Sequence, residues 1–343
     1  MSEPKIKNME EFAAASGISR PTVSKYFYDP DSVRPKTRAR IEAALQQFDY
    51  RPNIYAMNQN RRLTKNIGIV VPYLADPFFA EIARNVEQLV IDAGFRPILL
   101  SSHGDRQQEL SNLESLRSIK PAGVLMAPLG RRSDIDAVTE FCVDVPTVLF
   151  DSNIEGAGEA FIGSDNMQSI DMMVAYLCDG GDPPVFFGMR TPTNPNANKR
   201  RQSYRKAMEN RGLQPEFFDA GGEGWDFEEI GFREGMRAIT SKALPTNTVL
   251  CSNDRLAIGL LSAAFETGLR VGRGPGCALR VAGHDDHPFS RYTSPRLTTV
   301  SQDYAAIAKK SVETLLHTVL SGEHGSARET TLFHGRLVPR TSA

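Results

Sequence analysis

The chain has 343 residues, 41% of them hydrophobic and 24% charged, with a net charge of −1. That length allows two or three domains with cores of their own, and the composition excludes a disordered or fibrous protein. No apolar run approaches the ~18 residues of a spanning helix, and the polar opening MSEPKIKNMEEF lacks the apolar stretch of a signal peptide, so the reading is a cytoplasmic protein without a membrane partner.

The first predicted elements lie in Glu11–Tyr26, two short helices joined at Gly17, a helix-turn-helix. Ala13 and Ala14 let a second helix approach, Gly17 can take the positive φ of a sharp turn, Ser19 can cap the second helix and Pro21 suits its first turn. Such a helix presents its N-terminal side chains to base edges in the major groove, although ordinary helical packing gives the same short pattern. Charge favours the DNA reading. Residues 1 to 66 hold twelve Lys or Arg against seven Asp or Glu, a net of +5, which leaves −6 for the remainder. Ile41, Leu45 and Phe48 then fall at helical spacing and can close a small core with Phe12, Ile18 and Val23. Asp49 to Thr64 is polar and basic, the pattern of a linker that orders on DNA.

From Asn66 the texture becomes that of alternating strands and helices. Ile67 to Pro72 reads as a buried parallel strand, and Pro77 to Gly94 as a helix with Phe79, Ile82, Val86, Leu89 and Val90 on one face. Further strands are predicted at Pro97 to Ser101, Gly123 to Ala127, Thr147 to Phe150, Val185 to Gly188, Val249 to Ser252 and Leu279 to Gly283. The span is large for one doubly wound sheet. Two similar lobes with a cleft between them, ligands lying outside the carboxyl ends of the strands, are the better expectation. Cys142, Cys178, Cys251 and Cys277 are scattered without the spacing of a zinc or redox site and read as reduced core thiols.

Ser19 to Lys25, Tyr50-Arg51-Pro52-Asn53, Ile67 to Pro72 followed by Asp76-Pro77-Phe78-Phe79, Ser252-Asn253-Asp254, Gly283-His284-Asp285-Asp286 and Leu297-Thr298-Thr299-Val300 resemble the lactose-repressor (LacI/GalR) family of bacterial transcription regulators. The resemblance runs over essentially the whole chain. It implies a small all-α helix-turn-helix head at 1–50, a hinge at 51–65, and an α/β periplasmic-binding-protein-like body of two doubly wound parallel-sheet lobes at 66–343. The chain would cross three times, with an N-lobe of about 66–162 and 298–325 and a C-lobe of about 163–297 and 326–343. It also implies a homodimer on a pseudo-palindromic operator. The tail to Ala343 shows no heptad segment, which favours a dimer over a tetramer.

The family pattern places Arg20, Pro21 and Lys25 at base-reading positions, with Ser19, Thr22 and Ser24 nearer the backbone. Lys25 can donate to guanine O6 and N7, Arg20 serves equally as a phosphate clamp, and Pro21 offers only van der Waals contact. Asn53, Tyr55, Ala56, Met57 and Gln59 would form the DNA-contacting hinge. Gln59 stands where family members wedge a leucine into the minor groove, so kinking is expected to be weaker or the wedge to come from Met57. The cleft would be lined by Phe78, Phe79, Asp151, Phe161, Arg200, Trp225, Asn253, Asp285 and Gln302. Carboxylates, amides and a guanidinium satisfy hydroxyls while an aromatic face covers a sugar ring, so a sugar or sugar derivative leads.

Lys199, Arg200 and Arg201 keep an acidic or phosphorylated sugar open, and Phe78 with Trp225 keeps a purine open. Asp254 reads as a helix cap and Asn194 to Asn198 as a loop over the cleft. His284-Asp285-Asp286-His287 lacks the spacing of a helical metal motif, and no hydrolase elbow, phosphate loop or dinucleotide fingerprint occurs. The expectation is a DNA-binding repressor controlled by a small ligand, with no enzyme activity, metal or cofactor. A sugar-binding protein without DNA specificity is the alternative from another class.

Overall fold

The computed structural model describes residue 6, residues 8–28, 30–48 and 50, and residues 64–322 and 328–343. The chain divides after Thr64 into two compact units.

In the first unit, helix α1 (Met9–Ser16) is capped by Asn8 and ends at Gly17, whose φ of 63° makes the left-handed turn into α2 (Arg20–Tyr28). Helix α3 (Pro35–Phe48) closes a core of Phe12, Ala13, Ile18, Val23, Val33, Ile41, Ala44 and Tyr50. The ring of Tyr50 stacks on Phe12 at 4.7 Å and so packs with this core.

The second unit carries two parallel sheets. The larger has six strands in the order β11-β5-β4-β3-β1-β2: β1 (Asn66–Val71), β2 (Arg96–Ser101), β3 (Gly123–Met126), β4 (Thr147–Phe150), β5 (Ala160–Ser164) and β11 (Glu329–Phe333). The smaller runs β7-β6-β8-β9: β6 (Val185–Met189), β7 (Glu216–Ala220), β8 (Thr248–Cys251) and β9 (Arg280–Ala282). Strands β1, β3 and β4 are buried almost throughout, as expected of strands covered on both faces.

Helices α4 (Pro77–Asp92), α5 (Arg106–Ile119), α6 (Ile135–Asp144) and α11 (Tyr304–Ser321) belong to the first lobe, and α7 (Asn166–Asp179), α8 (Pro195–Glu209), α9 (Phe227–Thr240) and α10 (Asp254–Glu266) to the second. Most begin at a strand's carboxyl end with an Asp or Asn cap: Asp76, Asp105, Asp165, Asn194 and Asn253 each accept a backbone N–H of the first turn.

Two lobe boundaries differ from the sequence expectation. Thr298, placed at the start of the returning N-lobe segment, bridges to Ala282 of β9, so β10 (Thr299–Ser301) stays with the second lobe and the crossing comes at residues 302–303. At the other end β11 pairs in parallel with β5, extending the first lobe to Phe333. The last crossing then leads to β12 (Arg336–Val338), antiparallel to β10.

Candidate functional site

Strand ends supply the interlobe surface. Asp151 follows β4 and Asp285 follows β9, and both hold left-handed backbone, at φ 58° and 122°. A non-glycine residue keeps such a conformation only where the surroundings hold it, which aims both carboxyls into the cleft. One oxygen of Asp151 accepts from Asn196 Nδ2 at 2.6 Å. The side-chain Oδ1 of Asn196 accepts from Asn166 Nδ2 at 3.3 Å, and Asn166 Oδ1 in turn accepts from Arg200 Nε at 3.0 Å. Arg200 donates to Asp285 at 2.7 Å and to the Ser252 carbonyl at 2.8 Å; Asp285 also accepts from Gln302 at 2.7 Å, and Gln302 accepts from Ser164. One buried chain of hydrogen bonds thus runs from β4 of the first lobe through α8 of the second and back to the end of β5.

Its electrostatics are uneven. Burial pushes the Asp151 carboxyl up to about 7, against the pull of Lys199 and Arg200, and its Oδ2 has no hydrogen-bond partner. Burial would raise Asp285 as well, but the Arg200 guanidinium and the His284 ring hold it below the usual carboxylate range. Burial, followed by the Arg200 charge, lowers His284 to about 4, so this imidazole is neutral.

Two further contacts join the lobes. Trp225, after β7, stacks on Tyr73, after β1, with centroids 5.0 Å apart and planes 11° from parallel. Asp76, pushed up to about 6 by burial despite its partner, accepts from Arg255 at 3.1 Å, and Arg255 also binds Glu228 at 2.6 Å. Beside this pair a cavity of about 380 Å³ is walled by Phe78 and Tyr304 and reached by Asp285, Arg255 and His287.

Not every residue predicted for the cleft is available to it. Phe79 is fully buried, edge-on to Phe78 and Trp225, and serves as core. Phe161 lies in the first lobe's core with Lys199 Nζ 5.3 Å from its ring centre. Asn253 spends its side-chain oxygen capping α10 through Leu256 N at 2.8 Å, the role expected of Asp254. Asp254 is instead a fully buried hub accepting from His287 N, Ser290 and Thr299. Arg201 leaves the cleft, pairing with Asp219 at 2.6 Å and lying over Phe217. His284 faces Asp285 while His287 caps the turn at Phe289, and among the described residues no group of three or more His, Cys, Asp or Glu could hold a metal ion.

In the head, Ser19, Arg20, Pro21, Ser24 and Lys25 are exposed around the start of α2, and Thr22 is half-buried with its hydroxyl 2.7 Å from that of Ser19. Val23 turns the opposite way into the core. Arg20 stands 3.7 Å from Glu10, an exposed pair of little strength. Asn53, Tyr55, Ala56, Met57 and Gln59 lie outside the described residues.

Residues 8–53 match the family described as "Bacterial regulatory proteins, lacI family", and residues 175–343 match "Periplasmic binding protein-like domain". The chain thus carries a lacI-family helix-turn-helix domain followed by a periplasmic-binding-protein-like domain. It is 27% identical to the ribose operon repressor of Escherichia coli (strain K12) over 92% of this chain and 93% of that one. To the NTD biosynthesis operon regulator of Bacillus subtilis (strain 168) it is 26% identical over 98% and 100%, and to the HTH-type transcriptional repressor PurR of Pasteurella multocida (strain Pm70) 27% over 98% of each. Among solved structures, the Lac repressor dimer bound to operator and the anti-inducer ONPF matches with a TM-score of 0.82 at 23% identity over 98% of this chain and 99% of that one. The Lac repressor bound to ONPG matches at 0.80 and 22% over 99% and 100%. Among the described residues no helix is long and apolar enough to cross a membrane.

Several cleft residues escaped the sequence reading. Asn194 to Asn198 reads as a loop because it is polar, whereas Asn194 caps α8 and Pro195 occupies its first turn. That Asn-Pro signal would have put Asn196 and Arg200 four residues apart on one helical face. Tyr73, Asn166 and Tyr304 had no such signal, since each acts through a partner distant in sequence.

Proposed function

We propose that this protein is a sequence-specific transcriptional repressor, acting as a homodimer on a pseudo-palindromic operator, whose affinity for DNA is set by a sugar-like ligand held between the lobes of the body. The observation that carries the effector half is the buried hydrogen-bonded chain from Asp151 through Arg200 to Gln302. Carboxylates, amides and a guanidinium that face one another across two lobes are the groups that satisfy the vicinal hydroxyls of a sugar. Of the two aromatics read as a purine platform, Trp225 already has one face stacked on Tyr73, which favours the sugar.

In the head, Lys25 reads guanine, Arg20 and the hydroxyls of Ser19, Thr22 and Ser24 fix the helix on phosphates, and Pro21 packs against a sugar or thymine methyl. A ligand changes operator affinity only through its different affinity for the two arrangements of the body. Selection of binding sites from a random duplex pool by the full-length protein tests the reading. The expected product is a two-fold symmetric site whose affinity falls steeply with salt and changes when a sugar is added. Recovery of no preferred sequence, with or without sugars, would refute it.

A further inference from the structure

The cleft has a second, smaller cavity of about 170 Å³. Its first-lobe wall is the turn carrying Arg131 and Arg132, after β3, together with Ser152 and Asn153 after β4; its second-lobe wall is the start of α8 with Asn198 and Lys199. Three cations line it and no carboxylate does. Lys199 is half-buried, and desolvation lowers its ammonium pKa even though Asp151 pulls the other way. The beginning of α8 forms part of the wall, so the partial positive charge of the helix end adds to the same sign.

The other nearby cations are committed elsewhere. Arg200 is bound to Asp285 and Arg201 to Asp219. The Asp151 end of the polar chain is adjacent, since Ser152 and Asn153 follow it directly and Lys199 precedes Arg200.

Resting on the reading of the cleft as an effector site, we propose that the effector is an anionic carbohydrate whose hydroxyls meet the Asp151-to-Gln302 chain and whose phosphate or carboxylate sits among Arg131, Arg132 and Lys199. An anion there touches both lobes, two arginines from one and a lysine from the other. It therefore favours the closed arrangement, and a neutral sugar lacking it does so less.

The test is calorimetric titration of the full-length protein with matched sets: glucose, glucose 6-phosphate and gluconate; ribose, ribose 5-phosphate and ribonate. In at least one set a charged member binds roughly tenfold or more tightly than its neutral parent, and comparing phosphate with carboxylate says which anion is meant. Arg131→Ser with Arg132→Ser, both exposed positions, and separately Lys199→Gln, each collapse that ratio toward one. A neutral sugar binding as tightly as its charged partners, or a preference that survives both variants, would overturn the anion site while leaving the sugar reading intact. Binding of no member in any set would overturn the sugar reading and this inference with it.

Discussion

Asp151 shows how one buried carboxyl can make the body's stability depend on pH. Its folded-state pKa, raised to about 7 by burial, lies above the ordinary value near 3.8, so the folded protein holds a proton there that the unfolded chain has lost. The stabilising protonation is present at the lower edge of that window and is lost as pH rises toward 7, after which the carboxylate stays charged in a poor environment. Asp151→Asn keeps an oxygen to accept from Asn196 and removes the charge. The variant is expected to melt higher than the parent at pH 8 and to lose most of that advantage at pH 5, each kcal/mol moving Tm by about 2–4 °C. Calorimetric scans at the two pH values check it, and a difference independent of pH would assign the effect to packing. At the same scale Lys25→Ala should flatten the sequence preference of the head by about 1–3 kcal/mol at one base pair, read by competition binding, because a base contact and not merely a phosphate contact is lost.

The two helices α9 and α10 meet backbone to backbone. A Cβ built on Gly259 would lie 2.2 Å from the Glu228 carbonyl oxygen, and one on Gly231 2.3 Å from that of Leu256. Backbone cannot yield as a side chain does, so Gly259→Ala must part the helices and is expected to cost at least the ~1–3 kcal/mol of ordinary overpacking. Gly274→Ala, which meets nothing within 4 Å, serves as the near-neutral control in urea denaturation. This contact was not legible in the sequence, because glycine in a helix reads there only as a weak position and not as a point of approach. Local pattern was legible: the apolar spacing of Phe79, Ile82, Val86 and Val90 identifies α4, and the continuous apolar runs identify β1, β3 and β4. Strand β7, Glu216–Ala220, went unread because an edge strand alternates exposed and buried positions within only five residues. Among the cleft residues, Asp151, Arg200, Asp285 and Gln302 could be named from family pattern, but nothing local announces that Asn166 and Asn196 link them. That linkage exists only once the crossings bring β5, α8 and β9 together.

At the scale of the whole molecule the single tryptophan gives a direct view of how ligand and DNA influence each other. Trp225 sits on the second lobe, stacked on Tyr73 of the first, and its Nε1 is so close to Gly104 that any side chain there would collide at 2.4 Å. Its emission therefore reports contact between the lobes, and Gly104→Ala, which forces the indole away, should shift the spectrum of the unliganded protein toward that of an exposed indole. With emission as the readout, the effector's Kd can be measured with and without saturating operator. Linkage requires that if the effector changes operator affinity by some factor, operator changes effector affinity by the same factor. Couplings of this kind run to roughly 5–150-fold, well within the range of a fluorescence titration. Equal factors in the two directions would establish that both ligands select between the same pair of arrangements of this chain. Operator that leaves the effector's Kd untouched would mean that the cleft, whatever it binds, does not govern the head.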